Sequence, residues 1–198
     1  MLKFALIVGS TRPNRFADHS VRWISQAAAA RADFQLDVLD LRDYPLPFYN
    51  EPAPVAYTQG RYSEPAAEAW RHKIGGYDGF IATVAEYNHG PTAVIKNALD
   101  SAYYEWQRKP IAFVGHGGVG GARAIEHLRG IVIELQMAAI KFEVNIGVDG
   151  YLGVVQEGKS LEEFPRLVQA RTALFDDLVW WGRALKGARQ SDENKAAA

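Results

Sequence analysis

Residues 79–100 read GFIATVAEYNHGPTAVIKNALD. Gly79 to Ala85 form an almost wholly apolar run, as expected of a short strand covered on both faces. Glu86, Tyr87, Asn88 and His89 interrupt it. Gly90-Pro91 then opens an apolar helical stretch, proline being favoured at a first helical position. Strand, polar turn and helix make half of a βαβ unit, and the pattern repeats along the chain. KFALIVG (3–9), FQLDVLD (34–40) and PIAFVGH (110–116) read as further strands, and AIKFEVNIGV (139–148) as a fifth. Amphipathic stretches lie between them: FADHSVRWISQAAAARA, SEPAAEAWRHKIGG, PTAVIKNALDSA and VGGARAIEHLRGIVIELQMAA. A last helix is expected from about Leu161 to Leu185, where Leu167, Leu174, Leu178 and Trp181 recur at helical spacing. Such alternation implies right-handed crossovers and an α/β, doubly wound, five-stranded parallel sheet with helices on both faces. With no internal repeat and no linker, residues 1–187 read as one domain, and the polar segment 188–198 as a frayed tail.

Composition sets the outer limits. The 198 residues are 48% hydrophobic and 23% charged, the balance of an ordinary globular chain able to bury one good core. A formal net charge of −1 leaves no electrostatic footprint for nucleic acid or an anionic membrane. The absence of cysteine excludes disulfides, thiolate metal sites and cysteine nucleophiles, and suits a cytoplasmic setting. No apolar stretch approaches the roughly 20 residues needed to span a bilayer. The proline-rich connection at 41–65, LRDYPLPFYNEPAPVAYTQGRYSEP, exceeds the length usual in a compact domain. It is either a functional lid or a packed surface loop.

In a doubly wound sheet the ligand site lies beyond the carboxyl ends of the strands. Three turns converge there. The first, Gly9-Ser10-Thr11-Arg12-Pro13-Asn14-Arg15, leads into a helix whose N-terminus offers unpaired N–H groups to an anion. Two hydroxyls and two guanidiniums suit a terminal phosphate monoester, and GxxxxGK[ST] is absent. The turn after the fourth strand, Gly115-His116-Gly117-Gly118-Val119-Gly120, matches GxGxxG. It sits in the wrong βα turn for a dinucleotide fingerprint, and is better suited to close backbone approach to a flat ring. Between them, Tyr87 offers an aromatic face and Asn88 both a donor and an acceptor. A flat, polar-edged ligand bearing one phosphate on a spacer describes FMN.

GSTRPNR at 9–15, LPFYNEP at 46–52, EYNHGPTAVIKNALD at 86–100 and KPIAFVGHGGVGGARA at 109–124 resemble, in order and spacing, the NADPH-dependent FMN reductases. That family belongs to the flavodoxin-like superfamily, with related azo-, quinone- and chromate-reducing enzymes. The resemblance spans about residues 3–155. It implies an FMN-dependent oxidoreductase using NADPH or NADH and passing electrons to a small acceptor in a ping-pong cycle. A flavodoxin-like FMN carrier without nicotinamide turnover is the alternative. By resemblance, Ser10, Arg12 and Arg15, with backbone near Phe16 and Ala17, hold the phosphate. Glu86, Tyr87, Asn88 and His89 line the isoalloxazine, with His116, Gly117 and Gly118 along another edge. The sequence departs from the family pattern at Ala85, where proline is usual, and at His116, where a small or hydroxyl residue is common. The resemblance also implies a homodimer or tetramer, with Tyr103-Tyr104-Glu105-Trp106 at an interface or packed on its own sheet, and Trp180-Trp181 in the core or at a second contact.

The cofactor would carry the chemistry, so no catalytic side chain is expected. His19, His72 and His127 read as surface residues on helices, and Lys96 as the i,i+4 partner of Asp100. No His/Asp/Glu spacing makes a metal site, and no GxSxG elbow supports a hydrolase.

Overall fold

The computed structural model describes residues 1–58 and 60–196. Its elements are β1 (Leu2–Val8), α1 (Ala17–Ala29), β2 (Phe34–Asp40), α2 (Pro65–Gly75), β3 (Gly79–Ala85), α3 (Ala93–Asp100) and β4 (Pro110–His116). They continue with α4 (Ala122–Glu134), β5 (Ala138–Ala139), β6 (Val144–Ile146), α5 (Val148–Val155) and α6 (Pro165–Ala196). The strands run parallel in the order β2-β1-β3-β4-β5, which is the flavodoxin-like winding. Strand order reverses at β1, which places a crevice beyond the carboxyl ends of β1 and β3.

Sequence character follows sheet position. Every residue of the central strands β3 and β4 is buried, while the edge strand β2 exposes Gln35 and Val38. Alternate residues feed opposite layers. Ile111 and Phe113 of β4 join α2, α3 and α4 on one face; Ala112 and Val114 join α1, α5 and α6 on the other. Trp70, Trp106, Phe80 and Phe113 are fully buried in the first layer, each such ring contributing on the order of 1.5–3 kcal/mol. The buried indoles find partners: Trp70 Nε1 donates to the Ala98 carbonyl at 2.8 Å and Trp106 Nε1 to the Leu99 carbonyl at 3.0 Å. Trp106 therefore packs on its own sheet. Only Tyr104 of its cluster is exposed.

Three expectations change. The fifth strand is two short ones, β5 against Pro110–Ile111 and β6 against Val114–His116, because Lys141 and Phe142 turn outward between them. Helix α3 begins at Ala93 rather than Pro91, since Thr92 is the cap and its Oγ1 accepts from Ile95 N at 3.3 Å. The stretch from 188 is no frayed tail: α6 stays helical through Ala196, and residues 197–198 lie outside the described residues. Ion pairs hold it down. Arg108 meets Asp192 at 2.5 Å, Arg189 donates to the Arg108 carbonyl at 2.6 Å, and Lys186 and Arg189 reach Asp78 at 2.8 and 3.2 Å. Trp181 packs with the α1/α6 layer, while Trp180 is 63% exposed.

Candidate functional site

The crevice rests on Gly9, where β1 ends. A Cβ there would lie 2.3 Å from the Thr83 carbonyl oxygen, so only glycine allows β1 and β3 to close this tightly. Two hydroxyls fix its peptide: Gly9 N donates to Thr83 Oγ1 at 3.0 Å, and Thr92 Oγ1 donates to the Gly9 carbonyl at 2.5 Å. The first turn thus starts from a point shared by β1, β3 and α3.

Within that turn the two arginines part company. Arg15 is 6% exposed and folds inward. Its Nε donates to Asp18 at 2.8 Å, its Nη1 to Asp40 at 2.8 Å and to the Ser10 carbonyl, and its Nη2 to Asp40. Burial would raise the Asp40 carboxyl, but hydrogen bonds from Arg15 and Arg42 outweigh it and hold the group well below the usual carboxylate range. Arg15 therefore braces the loop across β1 to the end of β2. Arg12 is exposed at the mouth, its guanidinium 5.6 Å from the Tyr87 ring centroid. Helix α1 begins after Phe16 with no side-chain cap, leaving the N–H groups at Phe16 and Ala17 for an outside acceptor. Asp18, in the same first turn, is engaged by Arg15.

The middle turn is a four-residue hairpin. Tyr87 and Gly90 exchange backbone hydrogen bonds at 2.9 and 3.0 Å. Asn88 (φ 51°) and His89 (φ 68°) sit exposed at its tip, both left-handed, an uncommon conformation that costs non-glycine residues free energy. Tyr87 turns back to the first loop, its hydroxyl 2.9 Å from Ser10 Oγ. Glu86 lines the cleft, but its carboxylate is engaged elsewhere. Its carboxylate accepts from Arg123 N at 3.2 Å and Arg123 Nε at 2.6 Å, capping the start of α4. Burial opposes its ionisation, yet the bonds and charge of Arg123 keep it below the ordinary glutamate range.

The third turn follows β4. Gly121 (φ 76°) crosses so close to His116 that a Cβ would lie 2.8 Å from His116 N. Gly117 lines the cleft, and Gly118 is exposed with nothing within 4 Å of an added Cβ. His116 is 7% exposed, and its buried Nδ1 has no hydrogen-bond partner. Burial lowers its pKa to about 4, so the imidazole is neutral at pH 7. Its ring packs 5.3 Å from Phe16, which in turn lies 5.0 Å from Tyr151 on α5.

Arg12, Asn14, Arg15, Phe16, Ala85, Glu86, Tyr87, His116, Gly117 and Tyr151 meet around one cleft of about 200 Å³. The structure brings together most of the residues expected there, with Ser10 behind Tyr87 and the carboxylate of Glu86 turned to α4. Tyr151 was missed, because it follows β6 on a helix whose Gly150 and Gly153 hid its periodicity. A separate cavity of about 260 Å³ lies under residues 46–51 against α2 and Ser101. None of the three turns lines it. Asn97 pins that loop, donating to the Pro47 carbonyl at 2.8 Å and accepting from Tyr49 N at 2.9 Å. Among the described residues no cluster of three or more His, Cys, Asp or Glu could hold a metal, and no helix is long and apolar enough to cross a membrane.

Comparison with known proteins gives a consistent picture. The sequence profile described as NADPH-dependent FMN reductase matches residues 2–149. An NAD(P)H-dependent FMN reductase of Schizosaccharomyces pombe is 34% identical over 135 residues, 68% of each chain. A 2-hydroxy-1,4-benzoquinone reductase of a Burkholderia species is 33% identical over 145 residues, 69% of this chain and 73% of its own. Among solved structures, a flavoenzyme NAD(P)H:(acceptor) oxidoreductase of Paracoccus denitrificans superposes with a TM-score of 0.70 at 22% identity, covering 93% of this chain and 98% of that one. At that identity the likeness speaks to the fold.

Proposed function

The chain belongs to the NADPH-dependent FMN reductase family, and from that premise we propose that its cleft holds FMN and serves an NAD(P)H oxidoreductase acting on a small flavin, quinone or azo acceptor. The observation that carries this reading is the meeting of an uncapped helix N-terminus, an exposed arginine and two ring-side turns at one cleft. The residues present fit the cofactor. Arg12 and the N–H groups of Phe16 and Ala17 offer a phosphate site, while Arg15 and Asp40 hold the loop that presents them. The cleft, at about 200 Å³, is smaller than an ordinary small-molecule pocket of roughly 300–1,000 Å³. It suits a phosphate and its spacer, with the fused ring resting on the open rim formed by Tyr87, Asn88, His89, Gly117 and Gly118.

When bound, FMN supplies the redox chemistry, accepting hydride from a reduced nicotinamide and returning electrons to the acceptor as the two substrates alternate in a ping-pong cycle. The chain's own residues bind and orient the cofactor. No described residue of the cleft is given the role of nucleophile or general base in this reading, since the cofactor carries the chemistry. An open rim leaves one ring face available to both substrates in turn. A flavin carrier without nicotinamide turnover is less favoured because the first loop carries arginine and the chain is near neutral. Anaerobic addition of NADPH or NADH to the flavin-loaded protein decides between them. Bleaching of the flavin absorption supports the enzyme; a band unchanged by either nicotinamide refutes it.

We further propose a cytoplasmic homo-oligomer, a dimer or tetramer. Phe48, 80% exposed, and Tyr57, 83% exposed, stand on the 41–64 connection, and the Tyr104 hydroxyl joins that connection at the Ala56 carbonyl, 2.8 Å away. Exposed aromatics grouped near one loop are expected at an interface. A monomeric mass by light scattering at micromolar concentration would remove this proposal.

A further inference from the structure

His116 was expected to edge the flavin ring beside Gly117 and Gly118. Its side chain lines the cleft on the side of Phe16 and Tyr151. It leaves β4 on the layer that holds α1 and α6, and packs against Phe16 at the start of α1. Tyr151, from beyond the 2–149 family match, covers Phe16 in turn and lines the same cleft. This aromatic niche therefore sits beside the helix terminus suited to the phosphate, and behind the rim suited to the ring.

The hydrogen-bonding state of the imidazole follows from its burial. Nδ1 is enclosed with no partner. A proton there would leave an unsatisfied donor in the interior, and a doubly protonated ring would add a buried charge. Keeping the single proton on Nε2 leaves only an unpaired acceptor inside and gives the cleft a neutral N–H donor. Phe16 supplies no competing acceptor, so this donor is free for a ligand. A phosphate would be better served by the guanidinium and helix N–H groups already present. Between phosphate and ring, the available acceptors are the hydroxyls of a polyol spacer.

We propose that His116 is the spacer-recognition residue of this site, its Nε2–H donating to a ribityl hydroxyl of the flavin, with Phe16 and Tyr151 walling the niche. This rests on the FMN reading above and assigns His116 to the sugar chain rather than to the ring.

The test compares riboflavin, which has the ribityl chain without the phosphate, with lumiflavin, which lacks the chain. Dissociation constants are read by flavin fluorescence for the wild type, His116→Phe and His116→Gln, with FMN as a control on the wild type. The proposal expects His116→Phe to weaken riboflavin about five- to tenfold while leaving lumiflavin within about twofold, as loss of one neutral hydrogen bond implies. His116→Gln, which keeps an N–H donor, should recover most of the difference. Equal weakening of both ligands, or of neither, overturns the assignment while the FMN reading stands. A wild type that binds no FMN overturns that reading first. NMR of the wild type supplies a measurement independent of any variant's folding. The His116 Nε2–H signal should become protected from exchange with riboflavin and not with lumiflavin, and protection by both or by neither refutes the proposal.

Discussion

Arg12 and Arg15 lie three positions apart and have different surroundings, a difference that substitution can separate. The Arg15 side chain is 3% exposed and its donors are consumed by Asp18, Asp40 and the Ser10 carbonyl. Arg15→Gln would strand a largely buried carboxylate, a loss that typically costs about 3–5 kcal/mol. Asp40 keeps a second cation, with Arg42 Nη2 2.7 Å from its Oδ2, which points to the lower end of that range. About 3 kcal/mol in a chain of this size lowers the melting temperature by roughly 6–12 °C. Arg12 has no such partners and stands exposed over the Tyr87 ring, so Arg12→Gln should leave the melt within about 2 °C. It should instead weaken FMN by about 10- to 100-fold, since a charge-assisted contact to the phosphate is lost. Thermal melts of the cofactor-free variants and fluorescence titration with FMN measure the two effects. An Arg15→Gln protein as stable as wild type, or an Arg12→Gln protein that binds FMN normally, would refute the division of labour.

Ala85 can be tested directly. In a parallel ladder alternate residues bond to the same neighbour, and Glu86 N already bonds to the His116 carbonyl. The Ala85 N–H therefore faces the β1 side, beyond the last registered pair Val8–Thr83. Ala85→Pro should cost no ladder bond and change stability by less than about 1 kcal/mol; a loss above roughly 3 kcal/mol in urea unfolding would show that the N–H matters. Acid stability should fall in two phases. His116 titrates at about 4 in the native state against roughly 6.5 unfolded, so the unfolded chain takes up that proton first and stability drops as pH falls through this window. Asp40 and Glu86 are held below the ordinary carboxylate range, so their contribution persists above about pH 4 and is lost on further acidification. Urea midpoints from pH 7 to 3 should show His116→Phe lacking the earlier phase; an unchanged profile contradicts the buried neutral imidazole.

The four long strands were legible because three of them are buried on both faces and carry continuous apolar runs. What periodicity cannot convey is pairing across the sheet. Arg15 and Asp40 are 25 residues apart and meet only because β1 and β2 are neighbours. Glu86 and Arg123, 37 apart, meet only because β3 and β4 are. Arg15 and Glu86 both line the cleft, and the ion pairs that brace them there were not legible in the sequence. Helix α5 escaped notice because Gly150 and Gly153 lower helical propensity. Their lack of side chains is what lets the helix settle against Ile146, Leu167 and Phe164. The C-terminal stretch looked like a tail because its partners, Asp78 and Arg108, lie about 80 to 110 residues upstream.

That last clamp has a practical consequence. Asp78 precedes β3, whose far end opens into the cleft about seven residues away, or roughly 20 Å. Lys186, Arg189 and Asp192 thus moor α6 to the base of the sheet, with the mouth of the cleft at the opposite pole. A surface or electrode coupled through α6 would hold the molecule upright, its rim facing the solution from which nicotinamide and acceptor arrive.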